Sequence, residues 1–170
     1  MDLNQVTVPR DSPSQSVGVH LQRRLWAPLL LRLVIGYGFM AHGWAKLSRG
    51  PAGFARLLGQ IGAPLPKLLA WGATLLEIFG GAAIFLGAFV GIVGVPLIVM
   101  MLVAMFTVHL RYGFSSINTI GLTADGPVFG PPGYEVNLLY IASLVALMAG
   151  GAGAFSIDGL RMRLRAGGNP

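Results

Sequence analysis

Four stretches of the chain are apolar for long enough to cross a membrane, and polar or turn-forming segments separate them. The first expected span is 25–47, whose length at about 1.5 Å per residue reaches about 35 Å, enough for a hydrocarbon core with some tilt. The others are expected at 67–87, 91–112 and 135–154, the third carrying Pro96 as a kink. Between the first two, Phe54, Leu57, Leu58 and Ile61 recur at i, i+3, i+4 and i+7, while Arg56 and Gln60 fall on other faces. This spacing predicts a short helix over 51–61 in the headgroup layer, ended by Pro64 and Pro66. Only Ala88, Phe89 and Val90 link the second and third spans, which must therefore run antiparallel. The longest connection, 113–134, is rich in Gly, Pro, Ser and Thr, with Asp125 as its single charge.

The expected fold class is therefore all-α: an integral membrane antiparallel four-helix bundle with a short interfacial helix between the first and second spans. Residues 1–24 are polar, contain Pro9 and Pro13, and show no helical period, so they read as a disordered cytoplasmic tail. Arg23 and Arg24 could open a secretion signal, but the apolar run that follows is interrupted by Arg32, spans fully, and lacks a small-residue cleavage site. An uncleaved anchor is expected. The membrane domain covers 25–158, and 159–170 forms a basic cytoplasmic tail that mixes Leu160, Met162 and Leu164 with Arg161, Arg163 and Arg165. Ser156 or Asp158 is placed to cap a helix there.

Composition agrees with this reading. The chain has 170 residues, 54% hydrophobic and 11% charged, with a mean hydropathy of +0.70, whereas a soluble domain carries about 25% charged residues. The net charge of +6 flanks apolar runs, so lipid headgroups rather than nucleic acid are its expected counter-charge. Four spans return both ends to one side. Those ends carry Arg10, Arg23, Arg24, Arg161, Arg163 and Arg165, against Lys46, Arg49, Arg56, Lys67 and Arg111 opposite. The arginines nearest the first span place both termini in the cytoplasm, in a bacterial-type inner membrane. The absence of cysteine excludes disulfides, Cys-ligated zinc or iron–sulfur clusters and dithiol chemistry. Any redox role must use a bound cofactor or a partner. Nucleotide loops, zinc-protease motifs and hydrolase elbows are also missing from the sequence.

Ionisable residues inside an apolar span are expensive and need partners. Glu77 shares a helix face with Ala70, Ala73, Thr74, Gly80, Gly81 and Ile84, a small-residue face suited to close helix approach. Arg32 shares its face with Gly36, Phe39, Gly43 and Lys46. At about 1.5 Å per residue Arg32 lies about 22 Å and Glu77 about 15 Å from the outer end, an offset an arginine side chain can bridge. A buried Arg32–Glu77 ion pair is expected, serving either helix register alone or chemistry as well. A second polar layer gathers near the outer face: His42 and Lys46, His109 and Arg111, and Glu135 with Asn137. Hydrated helix ends account for it equally well. Sharper readings of His42, His109 and Glu135 are a two-His, one-carboxylate site for non-haem iron or an axial pair for haem; no metal site is assigned from them. A third is a quinone headgroup site, with His109 and Glu135 exchanging protons beside Met105 and Phe106. Catalytic candidates are accordingly His42, His109 and Glu135, and cofactor-binding candidates are His109, Glu135, Met105 and Phe106.

Taken in order, Arg32, Gly36, Met40, His42, Gly43, Lys46 and Leu47, then Glu77, Gly80, Gly81, Leu86 and Gly87, then His109, Glu135, Leu138, Gly153, Ser156 and Asp158 resemble the motif set of the DoxX family over about residues 25–158. The resemblance implies a four-helix membrane protein of the DoxX and DoxD type, whose members are associated with thiosulfate to quinone oxidoreduction and with oxidative-stress defence complexes. The long 113–134 connection departs from shorter relatives. The leading functional expectation is a membrane subunit of a redox or stress-defence complex passing electrons to quinone, with soluble redox partner proteins or further copies of itself. The alternatives are a non-enzymatic scaffold or assembly factor and, suggested by Glu77, a proton-coupled small-solute carrier.

Overall fold

The computed structural model describes residues 13–166, with side chains from 26 to 165. Helix α1 runs over Pro13–Ser48 and is followed by the short α2, Pro51–Gln60. Two long apolar helices come next, α3 over Pro66–Leu86 and α4 over Val90–Tyr112. A hairpin of β1, Thr119–Thr123, and β2, Gly126–Phe129, precedes α5, Glu135–Gly150, and α6, Ile157–Ala166. Among the described residues α3 and α4 are the helices long and apolar enough to cross a membrane; α5 is apolar but shorter. Helix α1 packs along α3 and against α5, and α4 packs against α5. The shared core contains Ile35, Phe39, Ile84, Leu97, Leu144 and Leu147, while large apolar side chains such as Leu68, Phe79, Ile92 and Val103 face outward.

Three differences from the sequence expectation have physical causes. Helix α1 starts at Pro13 rather than at Leu25. Proline suits a first helical turn because its missing N–H would have no intrahelical partner there. The rest of the expected tail, 1–12, and the chain end, 167–170, lie outside the described residues. Second, the mostly helical fold includes a short β-hairpin in the 113–134 connection. Thr119, Ile120 and Thr123 favour extended backbone, and Ala124-Asp125 turns the chain back with Gly126 at φ 121°, so β1 and β2 pair antiparallel with Gly121 opposite Val128. Third, the last apolar helix stops at Gly150, because Gly151 takes φ 82° and Gly153 takes φ 70°. Helix α6 then starts afresh, with the Ser156 hydroxyl accepting from the Gly159 N–H at 3.1 Å. Asp158 caps a different helix: its two carboxylate oxygens accept from Phe89 N and Val90 N at 2.9 and 3.0 Å, closing the start of α4.

Glycines set the register of α1 on α3. A Cβ on Gly36 would meet the Phe85 nitrogen at 2.6 Å, and one on Gly43 would meet Ile78 at 2.7 Å and Glu77 at 3.0 Å. The antiparallel pair is thereby fixed with Gly36 beside Gly81 and Phe85, and Gly43 beside Glu77.

Candidate functional site

That register decides which charges meet. Arg32 and Gly43 are eleven residues apart, about 16 Å along a helix axis, so Glu77 opposite Gly43 lies beyond the reach of the Arg32 guanidinium. The expected Arg32–Glu77 pair is not formed. Glu77 instead takes a salt bridge from Lys46 Nζ at 2.6 Å. Lys46 lies one helical turn beyond Gly43, on the face it shares with Arg32, so the sequence offers two cations on that face and the register chooses between them. The Glu77 side chain is 4% exposed and that of Lys46 27%. Glu77 Oε2 is buried and takes no hydrogen bond among the described residues.

Glu77 sits in a π-helical turn, Leu76–Gly80, within α3. Such turns replace the regular i to i−4 ladder and occur frequently at functional sites. Lys46 Nζ also lies 4.5 Å from the centroid of the Phe54 ring on α2, so the ammonium is held between a buried carboxylate and an aromatic face. On the other side of α2, a cleft of about 580 Å³ opens toward α3, lined by Pro51, Ala55, Arg56, Pro66, Lys67 and Trp71. This volume lies in the range of small-molecule sites, about 300–1,000 Å³. Arg56 and Lys67 give the cleft positive charge and hydrogen-bond donors, and Trp71 gives it a flat apolar wall.

Arg32, 1% exposed, has a different task. Its guanidinium donates to the carbonyls of Leu86 at 3.3 Å, Phe155 at 2.9 Å, and Ala154. It thus ties the end of α3 to the turn before α6, where the carbonyls of two irregular segments have few other donors.

The outer-layer candidates have separate partners. His109, in a second π-helical turn at Met105–His109, has Nδ1 at 2.9 Å from the Pro132 carbonyl, to which a protonated Nδ1 donates. Glu135 opens α5 and accepts from Ser116 N at 2.9 Å and Ser116 Oγ at 2.5 Å. Both residues fasten the 113–134 connection to the helices. His42 is exposed, with its ring edge-on to Tyr140 at 6.3 Å between centroids. Met105 is buried and Phe106 is 64% exposed, so the two do not line one slot. Among the described residues no three His, Asp or Glu side chains gather as metal ligands would. Asn137, part of the same sequence layer, is buried and donates to the Met101 carbonyl at 3.3 Å, joining α5 to α4.

Comparison with known proteins agrees with the motif set. The DoxX family model matches residues 27–110. The chain is similar to "Putative oxidoreductase CatD" of Bacillus subtilis, 36% identical over 86 residues that make up 51% of this chain and 62% of that protein. It is also similar to an uncharacterized protein of Haemophilus influenzae, 32% identical over 130 residues, 75% of this chain and 85% of the relative. No solved structure matches the chain significantly.

Proposed function

The chain belongs to the DoxX family, and from that premise we propose that it is a four-span membrane subunit of a redox system that delivers electrons and protons to quinone. The observation that carries this reading is the basic, Trp71-walled cleft under α2, with the Lys46–Glu77 pair on the opposite side of that helix and one of its carboxylate oxygens free of hydrogen bonds among the described residues. A quinone headgroup is planar and presents two carbonyl acceptors. Arg56 and Lys67 donate to such acceptors, and Trp71 stacks on the ring. Reduction of the ring takes two electrons and two protons. A soluble redox partner supplies the electrons, and the Lys46–Glu77 pair across α2 is the proton donor of this proposal, relaying to the cleft through water. The family relative named as an oxidoreductase supports a redox role of this kind.

Solvent extraction of the purified protein tests the reading. About one quinone per chain is expected, and a short-chain quinone analogue should bind at least tenfold more weakly to Arg56→Ala/Lys67→Ala than to the parent chain. If neither endogenous quinone nor the analogue binds, the redox reading is lost. The exposed hairpin favours the second reading, a scaffold for soluble partners: Ile120, Leu122 and Phe129 are 64%, 82% and 59% exposed. Co-purification of a stoichiometric protein that is released by Leu122→Asp, with no quinone bound, would select it.

A further inference from the structure

We infer that α6 and the turn before it form a binding site for the phosphate headgroup of an anionic phospholipid. At 100° per residue Ile157, Leu160 and Leu164 fall within one 60° arc of α6, and Arg161 and Arg163 flank that arc on either side. An apolar stripe bordered by arginines is the pattern of a helix lying in a lipid interface. The only acid of α6, Asp158, is already committed to the Phe89 and Val90 N–H groups, so it does not neutralise the arginines. Arg161 stacks on Phe89 at 4.2 Å, which leaves its N–H edges available.

The pattern coincides with a cleft. A space of about 610 Å³ is lined by Trp26, Phe155, Ser156, Gly159, Leu160 and Arg163. Trp26 and Phe155 meet with ring centroids 5.6 Å apart, and Phe155, at φ 51° and 80% exposed, is held outward. An indole and an arginine lining one cleft match the headgroup layer, where aromatic side chains and cations concentrate. The occupant that satisfies both parts is amphiphilic and anionic: acyl chains against Leu160, Leu164 and Phe155, and phosphate against Arg163, with Arg161 across the apolar stripe adding positive field. Arg165 lies along the same edge and adds to the field.

The inference rests on the membrane-embedded reading above but not on quinone. It is tested on the full chain with Trp44→Phe and Trp71→Phe, which leaves Trp26 as the fluorophore, by titrating brominated phosphatidylglycerol into detergent micelles. Saturable quenching of Trp26 is expected, with brominated phosphatidylcholine quenching far less. At about fivefold per arginine near a membrane surface, Arg161→Ala/Arg163→Ala/Arg165→Ala should raise the half-saturation point on the order of a hundredfold, and lysine at the three positions should retain most of the preference. Equal quenching by the two lipids, or no effect of the alanine variant, would overturn the site. Displacement of the lipid by millimolar inorganic phosphate would also overturn it, because the occupant would then be a free anion. Retention in phosphatidylcholine vesicles after an alkaline wash reports membrane embedding separately, so loss of that reading is distinguishable from loss of the lipid site.

Discussion

The two buried charges of the helical core are stabilised in different ways, and their substitutions should differ accordingly. Lys46→Met leaves the Glu77 carboxylate buried without its cation, and removing one partner of a buried pair costs about 3–5 kcal/mol. Glu77→Gln removes the charge that cannot reach water, while Lys46, already 27% exposed, can turn outward along its flexible stem. In thermal melts in detergent, Lys46→Met should therefore lower Tm more than Glu77→Gln, and Lys46→Met/Glu77→Leu should recover much of the loss. Equal melting of the two single variants would mean that the pair does not control stability. Arg32 has no acidic partner among the described residues, so no charge-reversal rescue applies to it; its three carbonyl acceptors come from Leu86, Ala154 and Phe155. Arg32→Lys should keep part of the stability and Arg32→Met very little, with limited proteolysis of Arg32→Met appearing first near 151–156. The sequence made the need for partners legible at both positions but not the partners themselves. Depth estimates from span ends carry errors of several residues, whereas the choice between Arg32 and Lys46 for Glu77 depends on a register set by Gly36 and Gly43.

Helices were legible because their signals are local. The apolar runs, the i, i+3, i+4, i+7 spacing in α2 and the three-residue link between α3 and α4 each fix an element without knowledge of distant residues, and α3 and α4 fall within one residue of the expected bounds. The hairpin and the role of Asp158 were not legible in the same way. The hairpin lies in a connection where turn residues dominate composition, and Asp158 acts 69 residues away on Phe89, where no periodicity could reveal it. Asp158→Ala should unseat the start of α4, at a cost of about 0.5–2 kcal/mol for a lost N-terminal cap, read as a lower Tm, with Asp158→Asn milder. The α1–α3 seam is less forgiving. On Gly81 a Cβ would approach the Gly36 carbonyl and the Met40 nitrogen at 2.8 Å each, and backbone atoms cannot yield as a flexible side chain does. Gly81→Val should abolish recovery of folded protein from detergent extracts, whereas Gly72→Ala, where the added Cβ meets nothing within 4 Å, should be tolerated. Comparable yields for the two would show that the close crossing is not needed for folding.

At the scale of the whole molecule, the exposed apolar belt and the distribution of charge decide how the protein sits. Outward-facing Leu68, Phe79, Ile92, Val99 and Phe106 cover the sides of α3 and α4, surface that water would penalise and lipid would not. Beyond the belt, Arg161, Arg163 and Arg165 lie at one end, on α6, while Lys46, Arg56 and Lys67 surround the α2–α3 connection that joins the far ends of α1 and α3. Both ends are basic, so charge alone gives a weak orientation; the apolar face of α6 between its arginines adds an anionic-leaflet preference on that side. A bilayer crossed by α1, α3, α4 and α5 would separate α6 from the hairpin tip. The absence of native cysteine makes this directly measurable with single cysteines at Ala124 in the tip and at Arg165 in α6, probed by a membrane-impermeant maleimide. The Ala124→Cys site should label in intact spheroplasts and the Arg165→Cys site only after the membrane is opened. Labelling of both from one side would rule out four crossings and would leave α5, 16 residues long, as a helix that fails to span. In that case the hairpin would share a compartment with α6, and the scaffold reading would gain at the expense of the quinone one.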